Sequence, residues 1–292
     1  MGSMLEQTAG APSPSSGLRR TASPVRVVAV RGAARAARPD SLATEEPMEI
    51  RAGGPGQDPV SVAVTMRTPG NDFELATGFL YTVGLIPTRD EVVSVAYCEL
   101  PAEEQRYNVV TVRLSRPFDP GMLARNFYAT SSCGVCGKAS LDHVRVSCAV
   151  VAPGPIVARS TVLGLPSALR RGQRVFEETG GLHASGEFDT AGRAIAVRED
   201  VGRHNAVDKL AGRAFLAGEL PMSERVLAVS GRVSFEIVQK AAVAGVPIVC
   251  AVSAPSSLAV EAADDLGLTI VGFLRQDGFN VYTHRERIDL DA

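Results

Sequence analysis

The chain has 292 residues, 45% of them apolar and 21% charged, with 30 Lys and Arg against 32 Asp and Glu. That length holds one large domain or two modest ones and a core that needs no disulfide staples. A net charge of −2 argues against a protein whose main work is gripping nucleic acid, which takes clustered positive charge, and no apolar run approaches the roughly 18 residues of a membrane span.

Residues 1–24 are rich in Ser, Pro, Gly, Ala and Thr and lack hydrophobic periodicity, so the expectation there is a disordered tail. The Arg19-Arg20 pair is followed by Thr-Ala-Ser-Pro rather than an apolar stretch, which does not read as an export signal. The five cysteines are then expected to be reduced, in a cytoplasmic setting, unless one is a working thiol.

Order is expected from Val25, with short strands at Val25–Val30 and Met48–Ala52 and a loop over 31–47 between them. Val60–Met66 alternates apolar and small or polar residues, as a half-buried strand does. Pro69-Gly-Asn-Asp is a turn in which Asn71 or Asp72 is placed to cap a helix through Phe73, Leu75, Ala76, Phe79 and Leu80. Strands at 92–97 and 108–114 complete a small α+β part over 25–125. A Ser- and Gly-rich segment, 126–145, reads as a mobile loop. From 146 to 288 the signals alternate: a helix over 162–176, a hairpin at 183–186 and 194–198, then helix, strand, helix, strand, helix and strand out to Phe273. That rhythm implies α/β architecture around a largely parallel, covered sheet, with α+β character overall.

Five places could carry chemistry. Cys133 and Cys136 lie two residues apart, each followed by Gly, with Lys138 beside them. Glycine keeps bulk off the sulfurs, and a reactive thiol needs both access and a lowered pKa. A structural zinc is short of ligands, because Cys98, Cys148 and Cys250 are unpaired and the histidines scattered. Those three cysteines read as small buried hydrophobes. A thioredoxin-like pair would be expected at a helix start in a βαβ unit, and a zinc deaminase would need His-x-Glu and a Pro before the first Cys, where Ser132 stands.

His183 follows Gly180-Gly-Leu and could serve as acid, base or anion donor, or be an ordinary loop histidine. Residues 198–209 crowd charges around one strand-to-helix turn, with Asp200 able to cap the helix and Arg203 and His204 beside it. This packing favours a site over a merely solvated face. Two further turns, Ser230-Gly-Arg232-Val-Ser and Ser253-Ala-Pro-Ser256-Ser, would expose the first N–H groups of helices, which suits phosphate. No Walker or dinucleotide glycine pattern accompanies them.

Taken in order, Cys-Gly-Val-Cys-Gly at 133–137, Thr-Gly-Gly-Leu-His at 179–183, Glu-Asp-Val-Gly-Arg-His-Asn-Ala-Val-Asp-Lys at 199–209, Ser-Gly-Arg-Val-Ser-Phe-Glu at 230–236, Ser-Ala-Pro-Ser-Ser-Leu-Ala at 253–259 and Gly-Phe-Leu-Arg at 272–275 resemble the FdhD family of formate dehydrogenase accessory sulfurtransferases. The resemblance covers about residues 25–286. It implies a cytidine-deaminase-like α/β domain and a homodimer, while the charge, the lack of a long apolar run and the ligand shortfall lead one to expect no nucleic-acid or membrane partner and no structural metal. It also implies a sulfur carrier that takes persulfide sulfur from a cysteine desulfurase onto Cys133, with Cys136 assisting. The sulfur passes to a molybdenum or tungsten cofactor, the bis(molybdopterin guanine dinucleotide), before that cofactor enters formate dehydrogenase. The family's C-terminal cofactor-binding segment falls on Phe273, Leu274, Arg275, Gln276, Asp277 and Gly278. Arg203, His204, His183, Ser230, Arg232, Ser253 and Ser256 are the further candidates for phosphate and guanine. Two other readings stay open: a chaperone that only holds and delivers the cofactor, and a thiol oxidoreductase.

Overall fold

The computed structural model describes residues 20–98, 106–121 and 150–292. The chain opens with a hairpin of β1 (Ala22–Arg31) and β2 (Ala34–Ala43), paired along their whole length. Ordered structure therefore starts three residues before Val25, and the expected loop over 31–47 is largely a strand. Residues 34–39 are exposed throughout, so no burial pattern marks them as β. Pairing with β1 does.

The first sheet has the order β4-β3-β6-β5, built from β3 (Glu46–Gly53), β4 (Val60–Arg67), β5 (Val92–Tyr97) and β6 (Val109–Leu114). Helix α1 (Asp72–Thr82) covers it. Met48, Ile50, Leu75, Leu80, Val110 and Val112 form the core between them. Asn71 stands at the N-cap in a left-handed conformation and makes no side-chain cap. Asp72 turns back instead to accept from Gly70 N at 3.1 Å and to pair with Arg67.

The second sheet has the order β13-β12-β11-β10-β8-β9. Its strands are β8 (His183–Phe188), β9 (Ala194–Asp200), β10 (Val226–Val229), β11 (Ile248–Ala251), β12 (Thr269–Gly272) and β13 (Asn280–Val281). Only β10, β11 and β12 run parallel, and the outer strands are antiparallel. The sheet is mixed rather than largely parallel, because the 183–200 hairpin joins it as a unit. Helices α4 (Arg203–Ala217), α5 (Phe235–Val243) and α6 (Ser257–Leu266) cover one face. Helix α2 (Arg159–Arg171) covers the other. Burial on both sides explains the uninterrupted apolar strands Val-Leu-Ala-Val and Ile-Val-Cys-Ala. The expected helix over 162–176 is two helices, α2 and α3 (Arg174–Thr179), broken at Gly172. A Cβ on Gly172 would lie 2.6 Å from Val197 Cγ2, so the break lets β9 pass close. A short pair of β7 (Val157–Ala158) and β14 (Ile288–Asp289) ties in the end of the chain.

The two parts are not separate bodies. Helices α1 and α4 cross in backbone contact: a Cβ on Gly78 would lie 1.8 Å from Asp208 O, and one on Gly212 would lie 1.8 Å from Glu74 O. Phe215 of α4 completes the core of the first sheet.

Candidate functional site

The parallel strands β10, β11 and β12 end at the same edge of the sheet, where ligands of open α/β sheets tend to bind. The three loops leaving them are tied to one another. Val233 N donates to Ala254 O at 3.2 Å, Ser256 N to Val233 O at 3.0 Å and Phe273 N to Ser253 O at 3.2 Å. The turns at Ser230–Ser234, Ser253–Ser256 and Phe273–Gly278 therefore form one ledge. At about 4.8 Å between strands, the ledge with His183 on β8 spans roughly 14 Å.

Over the β10 end of this ledge stand His183 and Arg203. The position of a Cβ on Gly231 would be 3.3 Å from His183 Nδ1 and 3.7 Å from Arg203 Cδ, so glycine lets both side chains close over the turn. Burial, then the charges of Arg203 and His204, push the His183 imidazole below its usual range. The His183 ring thereby favours its neutral form beside the Arg203 guanidinium. Arg203 and His204 occupy the first turn of the 15-residue α4, and that turn carries no acid. The Arg203 cation is unfavourable at that positive helix end unless an anion joins it. The buried Nε of Arg203 has no hydrogen-bond partner among the described residues. His204 Nε2 meets Glu236 Oε2 at 2.8 Å and Ser234 Oγ at 3.0 Å. Burial pushes the Glu236 carboxyl up, but the His204 hydrogen bond and the charges of His204, Lys240 and Arg203 outweigh it and hold it below the usual carboxylate range.

The other candidates divide. Arg232 is exposed on the same turn. Ser230 Oγ accepts from Ala184 N at 2.9 Å and fastens the turn to β8. Ser256 caps α6, its Oγ accepting from Ala259 N at 3.3 Å. Ser253 lends its carbonyl to Phe273. Phe273 sits at φ 52° with its ring half exposed on the ledge. Leu274 is buried in the core with α2, so its side chain packs rather than faces a ligand. Arg275 N donates to Gly278 O at 2.8 Å and its guanidinium donates to Val252 O, which closes the last turn over the ledge. Gln276 Nε2 donates to Ser167 Oγ at 3.4 Å, and Asp277 is exposed. Cys133, Cys136, Lys138 and Cys148, with the loop 126–145, lie outside the described residues. Cys250 is wholly buried, and burial pushes its thiol up to about 12, so it packs as an apolar side chain. Cys98 is half-buried.

The charged run 198–209 needs correction. Most of it joins the two parts of the molecule. Arg198 grips Glu74 through two bonds of 2.5 and 2.7 Å. Glu199 accepts from the first N–H groups of α3. Asp200 does not cap α4. It accepts from Thr68 N, Gly202 N and Asn205 Nδ2 and pairs with Lys209 Nζ at 2.7 Å. Asn205 also donates to Met66 O, and Lys209 to Thr68 O. Asp208 takes Lys240 Nζ at 2.8 and 2.9 Å and Thr82 Oγ1 at 2.7 Å. Buried charges persist only when paired this completely. Only Arg203 and His204 of the run face the ledge. Sequence reasoning took Gly231 and Ser234 only as small residues of a turn and gave Glu236 no part, although the stretch Ser-Gly-Arg-Val-Ser-Phe-Glu contains all three.

The fold thus defines an α/β protein whose polar loops gather at the carboxyl edge of the second sheet. A model of the FdhD/NarQ family matches residues 43–289, and the chain belongs to that family. It is 53% identical over 258 residues to the sulfur carrier protein FdhD of Mycolicibacterium paratuberculosis, covering 86% of this chain and 93% of that one. It is 50% identical over 278 residues to the protein of the same name from Streptomyces avermitilis, covering 91% and 95%. Among solved structures it is similar to one described as a formate dehydrogenase accessory protein, from Desulfotalea psychrophila. That likeness has a TM-score of 0.70 over 92% of this chain and all of the other, at 22% identity, and shows the fold.

Proposed function

We propose that this chain is a cytoplasmic sulfurtransferase that serves a formate dehydrogenase as a homodimer. It takes sulfur from a cysteine desulfurase as a persulfide on Cys133 and passes it to a bis(molybdopterin guanine dinucleotide) cargo held on the ledge. The observation that carries the binding half of this reading is the buried, unpartnered Arg203 Nε beside His183 and His204. A guanidinium with a free buried N–H at a helix start calls for an anion, and the phosphates of a pterin guanine dinucleotide supply one. The ledge matches a ligand that is long and flat, and the half-exposed Phe273 ring offers one stacking face. The names of the relatives support the sulfur-carrying half, and so does the glycine-flanked pair Cys133 and Cys136.

The test is to incubate the protein with a cysteine desulfurase and free cysteine, then weigh its peptides. A sulfur-sized gain on the peptide holding Cys133 and Cys136, reversed by a reductant and absent in Cys133→Ala, is expected. No gain with an active desulfurase would leave a chaperone that only delivers the cofactor. Cys133→Ala should keep its affinity for guanosine diphosphate, measured by calorimetry, whereas Arg203→Ala should lose about tenfold or more of it.

A further inference from the structure

The cluster over the β10 end of the ledge holds a carboxylate as well as a guanidinium. Glu236 stands in the first turn of α5 and turns toward the first turn of α4, where its Oε2 lies 2.8 Å from His204 Nε2. Ser234, at the N-cap of α5, makes no side-chain cap and turns the same way, its Oγ 3.0 Å from the same nitrogen. The Glu236 side chain is 26% exposed and that of His204 29%, so neither is sealed in the joint between the sheets.

The acids of that joint are neutralised by lysines. Asp200 holds Lys209 at 2.7 Å, and Asp208 holds Lys240 at 2.8 Å. Lys240 lies one turn along α5 from Glu236 and is thereby committed to Asp208. Glu236 has a histidine for its partner instead. Burial opposes its ionisation, but the His204 hydrogen bond and the charges of His204, Lys240 and Arg203 outweigh it and keep the carboxylate charged. With a protonated His204 the pair is neutral, and with a neutral His204 it is negative. In neither form does it add positive charge, so Arg203 is the cation that this turn offers an anion. The Arg203 charge acts on both Glu236 and His183, so these groups share one place.

A carboxylate beside an anion site sets how much negative charge the site accepts. A diphosphate closed by an organic group at each end carries a single charge on each phosphate. One left open ends in a terminal phosphate that loses its second proton near pH ~6, and at neutral pH it brings an additional charge to the same place. We propose that Glu236 is a specificity-determining residue, lowering the affinity for a terminal phosphate relative to a diphosphate closed at both ends. The inference rests on the anion reading of the ledge above and narrows it. The cargo named there has its diphosphates closed between pterin and guanosine. Free guanosine di- and triphosphates present the same guanine but end in an open phosphate. Arg203 attracts both kinds, and Glu236 separates them.

Calorimetry with two probes tests this: guanosine diphosphate and its β-methyl ester, which differ by a methyl group and a charge. The readout is the ratio of the two dissociation constants in the unaltered protein and in two variants. Glu236→Gln keeps an acceptor for His204 and removes the charge, so it should shift the ratio about fivefold toward the open diphosphate. Ser234→Asp puts a second carboxylate on the same turn, at a cap position that Asp fills as well as Ser. It should shift the ratio by a similar factor toward the ester, and it decides alone should Glu236→Gln not fold. A loss of packing that weakens both probes equally leaves the ratio unmoved. A ratio unchanged in either folded variant would overturn the role of Glu236 and leave the anion site standing. If neither probe binds the unaltered protein at millimolar concentration, the site and this inference fall together.

Discussion

His183 and Arg203 meet over Gly231, and their pairing has a consequence for acid stability. Burial and the neighbouring cations lower the His183 pKa in the folded chain, below the ~6.5 of an unfolded histidine. The unfolded chain therefore binds the proton more readily. The stability that this neutral ring confers is present above about pH 6.5 and is lost as the pH falls through the lowered folded value. His183→Gln removes that dependence. Urea midpoints at pH 7.5 and 5.5 should shift in the variant's favour, relative to the unaltered protein, at the lower pH. An equal difference between the two proteins at both pH values would show that His183 is not titrating as described. Glu236 has the same sign in its own range: its lowered carboxyl pKa contributes stability that fades as acid protonates it.

Among the elements, α1 and α4 cross with the closest approach found at any glycine of the described residues. Two helices at backbone contact need the smallest residue at the crossing point, and Gly78 and Gly212 supply it. Gly212→Ala would drive a Cβ into the Glu74 carbonyl, with no flexible side chain able to give way. It should cost about 3 kcal/mol or more of stability. Gly164 in α2 has open space around it, so Gly164→Ala should be neutral or gain up to about 1 kcal/mol. Denaturant midpoints of the two variants check this contrast. The same crossing carries the ion pairs of Asp200, Asp208, Lys209 and Lys240. A charge-dense run is thus chiefly a joint between two sheets, and it sets α4 so that its first turn reaches the ledge.

At the scale of the whole molecule, that joint makes the two sheets one folding unit. Phe215 reaches from the second part into the core of the first, and Tyr81 OH of α1 donates to Val243 O at 2.8 Å. Heating should give a single transition whose calorimetric and van't Hoff enthalpies agree. Asp208→Ala should lower that midpoint by leaving Lys240 buried without its partner, not split it. Two resolved transitions in a scanning calorimeter would mean that the parts unfold separately.

The division between sequence and tertiary structure follows from the range over which each cause acts. Local causes were legible in the chain. Period-two alternation marked β4, continuous apolar runs marked β10 and β11, serine and glycine marked the turns, and the ordered short motifs marked the family, with Arg203, His204 and His183 among its candidates. Non-local causes were not. Residues 34–43 carry no burial pattern and become a strand only because β1 lies alongside. Leu274 sits in a ledge motif yet turns into the core. Asp200 looks like a helix cap in sequence, but Thr68, 132 residues earlier, claims it. Glu236 gains its place only when the N-termini of α4 and α5 come together and His204 reaches it. A charge shows its sign in the sequence, whereas its partner is chosen by the packing that removes it from water.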